Sequence, residues 1–290
     1  MRDIDAPLAW LTRRLRTVRG VWRISEKLRR RFVQRYAKDG HPWTVMNDFK
    51  GSLRLRIDRS SFMGSCIYWN GAFSPNELAL LERLLEPEMV FVDVGANQGE
   101  LTIFAASRVT RGQVLAFEPV ESLHRQLLDN IALNQLSNVK AHHLALSDQP
   151  GRMTLFVDRR VTDGLNEGTA SFFSGGERTS PAEVAEVAVF DDVFEASGLR
   201  RLDIMKVDVE GAELFVLRGA VRSLARHRPR LILELAEGNF AAAGYTTHDL
   251  LRFLLIHRYE FAVIGGGGRL AAISTATQLP RFCNVLCTPA

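Results

Sequence analysis

Nothing in these 290 residues reads as a membrane span, a secretion signal or a disulfide framework. No apolar run approaches the ~20 residues that cross a bilayer. The N-terminus lacks the compact apolar core and small-residue cleavage site of a signal peptide. The three cysteines, Cys66, Cys283 and Cys287, are odd in number and have no CxxC spacing. They are expected to be small buried hydrophobes in a reducing cytoplasm, neither cross-linked nor holding zinc. The four tyrosines (Tyr36, Tyr68, Tyr245 and Tyr259) have no lysine four residues on. That removes the Tyr-x-x-x-Lys pair of a sugar-modifying NAD oxidoreductase. An Asn/Asp-Pro-Pro-aromatic segment, which would clamp a flipped base, is missing too, and no internal repeat is present. Acids are scarce at one end only. Residues 1–38 carry twelve Lys/Arg against three acids, a net +9 that leaves −5 on the remainder. The basic character belongs to a leading segment, and a body of net −5 argues against a nucleic-acid partner.

An apolar content of 46% with 24% charged residues is enough to bury one sizeable core. In the leading segment Leu11, Leu15, Val18, Trp22, Ser25, Leu28, Phe32 and Tyr36 follow helical steps of three and four, ringed by arginines. Gly20 leaves one kinked helix or two short ones equally open. Trp43–Met46 and the alternating Leu53–Ile57 read as strands. Ser74, Pro75 and Glu77 predict a capped helix start with a capping box. From residue 89 short apolar strands alternate with helical patterns. The strands are Met89–Val92, Gln113–Phe117, His142–Leu146, Leu202–Val207 and Leu231–Leu235. The helices between and after them are Leu101–Ser107, Ser122–Asn134, Ala212–Leu224 and Thr247–His257. Alternation of this kind implies an α/β fold with a doubly wound, mostly parallel sheet. Tyr259–Ile264 and Phe282–Cys287 predict a closing antiparallel hairpin. Residues 158–182, rich in Gly, Ser, Thr and charge, read as a mobile loop after a short hairpin at Arg152–Val157. The expected organisation is a basic N-terminal extension with a small β lead-in over residues 1–70, then one domain over residues 71–290.

The strongest motif is Asp93-Val94-Gly95-Ala96-Asn97-Gln98-Gly99, between the first strand of that run and a helix. Glycines there let backbone approach a ligand at the sheet's carboxyl edge. A dinucleotide loop would be GxGxxG without a leading acid, because an acid repels pyrophosphate. Asp93 instead suits a cationic ligand without phosphate, which favours S-adenosylmethionine over NAD. Phe117-Glu118-Pro119 follows nineteen residues after Gly99, where an acid can accept both ribose hydroxyls. Pro119 stops the strand, and Glu118, as a strand-end acid, is expected to be replaceable without harm to the fold. Ser147 and Asp148 would reach an adenine amino group, or serve simply as turn chemistry. Lys206, Asp208 and Glu210 would share one face if their strand persisted. They and Glu234, inside an apolar strand, are either acceptor-facing groups or an internal salt bridge. Asp208 and Glu234 could hold a divalent cation, but no third ligand is evident, so no metal is expected. His142 and His143 read as packed rather than catalytic.

Together Asp93–Gly99, Phe117-Glu118-Pro119, Ala145–Asp148, Phe190-Asp191-Asp192, Lys206–Glu213 and the strand holding Glu234 resemble the FkbM family of class I methyltransferases. The likeness spans roughly residues 70–265 and includes the lead-in Trp69–Glu77. The resemblance implies a Rossmann-like fold, S-adenosylmethionine as cofactor and O-methylation of a hydroxyl on a sugar, glycan or natural-product scaffold. Carried over, Asp93, Gly95, Ala96, Asn97, Gly99, Glu118, Pro119, Ser147 and Asp148 would line the cofactor site. Asp208, Glu210, Lys206 and Glu234 would face the acceptor. A nucleic-acid methyltransferase and a non-catalytic nucleoside-binding relative are the alternatives. Residues 1–60 inherit nothing from the family. Their stripe fits either a lid or dimer element, or a helix lying on the inner membrane face of a cytoplasmic enzyme.

Overall fold

The computed structural model describes residues 5–16, 18, 20–38, 40–157, 170–173, 180–273 and 279–290. The chain opens with helices α1 (Ala6–Arg14) and α2 (Val21–Lys38), hairpin strands β1 (Trp43–Phe49) and β2 (Leu53–Asp58), and helices α3 (Phe62–Asn70) and α4 (Pro75–Leu84). The alternating part follows as β3 (Val90–Val94), α5 (Glu100–Arg108), β4 (Gln113–Phe117), α6 (Glu121–Leu133) and β5 (Val139–His142). Then come β6 (Ala145–Ser147), β7 (Gly151–Val157), β8 (Ser180–Val189), α7 (Phe190–Ala196), β9 (Ile204–Val207), α8 (Glu213–Arg218) and α9 (Val221–His227). It closes with β10 (Arg230–Ala236), α10 (Glu237–Ala242), α11 (Thr247–Ile256), β11 (Tyr259–Ile264), β12 (Leu270–Ala272) and β13 (Phe282–Pro289).

Eight strands form the central sheet in the order β12-β11-β13-β10-β9-β3-β4-β5. The run from β10 to β5 is parallel, whereas β13 lies antiparallel to both β10 and β11. This is the doubly wound sheet with a closing hairpin that the alternation predicts. Because strand side chains alternate, Val92 and Val94 enter one hydrophobic cluster and Phe91 the other. The second cluster also takes in Ala9, Tyr36, Phe49, Ile57 and Trp69, so the N-terminal elements share a core with one face of the sheet. No helix among the described residues is long and apolar enough to cross a membrane.

Several local expectations change. The segment His142–Leu146 is not one strand. It divides between β5 in the main sheet and β6, which pairs with β8 in a separate three-stranded sheet. The strand at Arg152–Val157 forms no local hairpin and pairs instead with β8 beyond residue 179. Most of the expected loop over 158–182 lies outside the described residues, but 180–182 belong to β8. Helix Ala212–Leu224 breaks at Gly219-Ala220, where Gly219 presses on the Ser147 backbone and a Cβ would stand 2.2 Å from its carbonyl oxygen. Ser74 caps nothing with its side chain. Its N–H donates to the buried Glu100 carboxylate at 3.0 Å, which also accepts from Phe73 N–H at 2.7 Å, so the capping box is displaced by a tertiary contact.

The N-terminal stripe is half misplaced. Gly20 (φ +90°) separates two helices. The side facing α3 is built by Thr12, Ser25 and Arg29, while Leu11, Leu15, Val18 and Trp22 are exposed. Polar side chains win the buried side because α3 offers them partners. Thr12 Oγ1 donates to the Trp69 carbonyl at 2.8 Å, and Arg29 is held by Glu26 at 2.8 Å and Ser65 at 3.1 Å. A buried cation is tolerated when so paired. Phe190-Asp191-Asp192 also proves architectural: the Asp191 carboxylate accepts from Arg222 and Ser223 N–H, both at 2.8 Å, and so caps α9.

Candidate active site

Doubly wound sheets bind ligands where the strand order reverses, here at the carboxyl ends of β3 and β9. Gly95 turns there with φ +79°. A Cβ on it would lie 1.9 Å from the Asp208 carbonyl oxygen, so only glycine lets the two strand ends approach. Gly95 and Ala96 N–H both donate to the Phe117 carbonyl at 3.0 Å, which ties the loop to β4. Asn97 takes a left-handed conformation (φ 52°) and accepts from Gln98 N–H at 2.7 Å through its own side chain. Gly99 precedes α5 and leaves room for Leu127, which a Cβ would meet at 2.6 Å. Its part is helix packing, and it does not line the cavity.

Glu118 closes this loop from the end of β4. Its Oε2 accepts from Asn97 N–H at 2.7 Å and its Oε1 from Val120 N–H at 2.9 Å. The side chain is buried, so the expectation of a dispensable strand-end acid is corrected: removing it would leave two backbone donors without their acceptor. Burial, partly offset by those N–H groups, pushes its carboxyl up to about 7. Pro119 lines the cavity beside it. His142 stacks on Phe117 at 4.9 Å, and His143 Nε2 lies 2.9 Å from the Pro119 carbonyl; neither lines the cavity. Ser147 and Asp148 do not line it either. They follow β6 into the smaller sheet, where Gly219 packs on them, and Leu144, Ala145 and Leu146 present the wall instead.

Asp93 is fully buried under the loop. Its Oδ2 accepts from Thr102 Oγ1 at 2.6 Å, and Lys206 Nζ stands 3.8 Å from its Oδ1. Lys206 Nζ also donates to the Gly95 carbonyl at 3.2 Å and meets Asp208 Oδ2 at 3.2 Å. Burial alone would lower this ammonium's affinity for its proton, but Asp208 and Asp93 more than offset it and keep Lys206 charged. An internal ion pair is therefore real, and it joins the loop after β3 to the strand end of β9.

The strand does not persist to Glu210. β9 ends at Val207, and Glu210 (φ 54°) and Gly211 (φ 109°) form a left-handed turn instead. The buried Glu213 shapes that turn by accepting from Val209 and Gly211 N–H, both at 3.0 Å. The turn swings the Glu210 carboxylate back toward Asp208. Carboxylate oxygens of Asp208, Glu210 and Glu234 all lie within 4.8 Å of one another. This supplies the third carboxylate that the spacing did not show. It is the one group among the described residues close enough to share a cation, although Lys206 already neutralises its Asp208 corner. Three such charges crowd together, so burial and then the neighbouring Asp208 and Glu210 raise Glu234 well above the usual carboxylate range. Asn239 Nδ2 donates to Glu210 Oε2 at 2.8 Å, which fixes the rotamer.

A cavity of about 470 Å³ joins these parts, being lined by Asp93 through Asn97, Glu118 and Pro119, and by Lys206, Asp208, Glu210 and Glu234. Sequence reasoning missed several of its walls. Phe62 and Met63 arrive from α3, Phe172 from beyond β7, and Gly238 and Asn239 from α10. Glu100 and Glu213, both buried and both pushed up to about 7 by burial, had one signal each: an acid in the first turn of the helix after a glycine loop.

A model of the methyltransferase FkbM domain matches residues 93–261. Methyltransferase 1 of Beauveria bassiana is 28% identical over 170 residues, covering 52% of this chain and 67% of that protein. The 2-O-methyltransferase NoeI of Sinorhizobium fredii is 25% identical over 164 residues, covering 52% of this chain and 64% of the relative. The chain thus spans about two thirds of the length of these curated relatives. Among solved structures, methyltransferase FkbM from Methylobacillus flagellatus KT superposes with a TM-score of 0.47 at 18% identity, covering 70% of this chain and 44% of that one. With more than half of its length matched, this chain belongs to the FkbM methyltransferase family, whose cofactor is S-adenosylmethionine.

Proposed function

We propose that this chain methylates a hydroxyl of a small-molecule or glycan acceptor, holding S-adenosylmethionine against Asp93–Asn97, Glu118 and Pro119. One observation carries the reading: a single cavity is lined by the acid-led glycine loop, by Glu118 and by the Asp208–Glu210–Glu234 cluster. The cofactor fits the residues present. Cofactor sites run from about 300 to 1,000 Å³, and this cavity of about 470 Å³ is lined by seven acidic and two basic residues. Such a wall attracts an ammonium and a sulfonium and repels pyrophosphate. Bound, the cofactor supplies a methyl group already activated on a sulfonium.

The chain's own residues then have limited work. Glu118, anchored by two N–H donors, keeps lone pairs for a ribose diol. Lys206 fixes the two strand ends and orients Asp208, whose carboxylate takes the proton of the acceptor hydroxyl. Glu234, whose carboxyl is raised well above the usual carboxylate range by burial and by the neighbouring Asp208 and Glu210, adds little charge to the cluster. NoeI is by its name a 2-O-methyltransferase, which supports oxygen as the accepting atom. Titration calorimetry with S-adenosylhomocysteine and with NADH tests the cofactor; heat with NADH alone defeats the reading. Transfer of a labelled methyl group to hydroxylated acceptors, with the product bond read by NMR, tests the chemistry. Methyl groups found only on nitrogen would move the enzyme to another class.

Two further outcomes concern Glu118. Glu118→Ala is expected to cost about 1.5–3 kcal/mol of cofactor affinity. It should lower stability too, because the Asn97 and Val120 N–H groups lose their acceptor. The cleaner readout is pH. Burial raises Glu118 to about 7, so the ligand-free form is part-protonated at neutrality, while two hydroxyl donors favour the ionised form. Binding then expels a proton, and affinity for S-adenosylhomocysteine should tighten about tenfold from about pH 6 to about pH 8. Glu118→Gln should flatten that slope. A slope that survives in this variant removes Glu118 from the ribose.

A further inference from the structure

Seven of the eighteen large apolar side chains exposed among the described residues fall within residues 8–24: Leu8, Trp10, Leu11, Leu15, Val18, Trp22 and Ile24. This concentration is not what an inner lid would show. α1 and α2 turn Ala9, Thr12, Ser25, Arg29, Val33 and Tyr36 inward and leave the apolar set outside, with Trp22 62% exposed. Leu8 and Leu11 on α1, with Leu15 at its C-cap, recur at helical spacing along one line that flanks the buried side.

The same stretch is strongly cationic. Arg14, Arg16 and Arg23 are exposed within it and Lys27, Arg30 and Arg31 just after it, whereas residues 8–24 hold no acid and the described acids on either side are the buried Asp5 and the half-buried Glu26. Each exposed tryptophan carries a guanidinium: Arg14 stands 5.3 Å from the Trp10 ring and Arg23 5.7 Å from the Trp22 ring. An apolar body with a polar or charged rim suits the boundary between headgroups and acyl chains. We infer that the outer surface of α1, the α1–α2 turn and the start of α2 docks on an anionic lipid bilayer. Apolar side chains enter the interface, and the arginines meet lipid phosphates.

The dock is joined rigidly to the cavity. Arg13 Nη1 donates to the Tyr68 carbonyl at 2.6 Å, Thr12 Oγ1 and Ser25 Oγ donate to the Trp69 carbonyl at 2.8 and 3.0 Å, and Arg29 Nη1 donates to Ser65 Oγ at 3.1 Å. All three acceptors belong to α3, whose first turn supplies Phe62 and Met63 to the cavity wall. Helix α3 thus lies between the α1–α2 layer and the cavity wall.

Co-sedimentation of the full chain with extruded vesicles tests this. Phosphatidylglycerol vesicles in about 50 mM salt should pull the protein into the pellet, with at least about tenfold weaker partition on phosphatidylcholine or in about 500 mM salt. The double variant Trp10→Ser/Trp22→Ser should lose partition about tenfold or more. It should keep its melting temperature and its affinity for S-adenosylhomocysteine, since both side chains are exposed. Arg14→Glu/Arg23→Glu should abolish the preference for the anionic lipid. Protein that stays in the supernatant with phosphatidylglycerol at low salt overturns the inference, as does a tryptophan variant that sediments like the native chain. A dimer in light scattering that Trp10→Ser/Trp22→Ser dissociates, without vesicle binding, gives this surface to a second copy of the chain and overturns it equally.

Discussion

Asp208→Asn is expected to lower turnover about 10²–10⁴-fold, the usual scale for losing a general base and equivalent to about 2.7–5.5 kcal/mol of barrier. Cofactor affinity should change little, because Asp208 lies with the carboxylate cluster, on the β9 side of the cavity from Glu118. The substitution is nearly isosteric and retains an oxygen for Lys206, which stands 3.2 Å from Asp208 Oδ2. What it removes is the ability to accept a proton. Single-turnover rates with saturating cofactor, set beside calorimetric affinity for S-adenosylhomocysteine, separate the two effects. Near-normal turnover would assign Asp208 to the internal ion pair alone. Loss of affinity together with rate would mean that the pair holds the loop rather than serving the acceptor.

Gly95→Ala should do more damage to the folded state than any change at the carboxylates. The new Cβ would sit 1.9 Å from the Asp208 carbonyl oxygen, a backbone atom that cannot rotate away, at a φ of +79°. Overpacking of this kind costs about 1–3 kcal/mol, and the left-handed conformation adds about 1–2 kcal/mol. The melting temperature should fall by about 5–15 °C for a chain of this size, and cofactor affinity should drop with it as β3 and β9 are forced apart. Thermal unfolding with and without S-adenosylhomocysteine measures both. Gly51→Ala serves as the control, since it also has positive φ but nothing within 4 Å of its Cβ position. A Gly95→Ala protein no less stable than that control would show that the strand ends can separate freely.

Much of the architecture follows from one-dimensional pattern. Buried parallel strands must be continuous apolar runs, and Gln113–Phe117 could be read to the residue for that reason. The glycine loop was legible because Gly95 answers a backbone requirement that no other residue meets. Glu118 was legible by its distance from that loop, and Asp208 and Lys206 because charges at the end of an apolar strand are costly without a partner. Local signals misled wherever a distant group competed for the same atoms. Ser74 and Glu77 spell a capping box, yet Glu100 takes the Ser74 N–H. Ser147 and Asp148 stand at the right distance for a nucleobase, yet β6 leaves the main sheet to pair with β8.

Residue type and spacing by themselves determined the doubly wound sheet, the glycine loop, the acid that closes it and the strand end that carries Lys206 and Asp208. Each rests on a constraint felt within one element: side-chain period, positive φ, or the cost of a lone buried charge. Only the tertiary structure decided that Glu210 swings through a left-handed turn to join Asp208 and Glu234, and that Asp93 spends its charge on Thr102 and Lys206. It alone decided that arginine and serine, rather than leucine and tryptophan, face inward from the N-terminal helices. Those outcomes depend on which hydrogen-bond partners a packed neighbour presents, and the neighbour of α2 is α3, more than thirty residues away from Arg29.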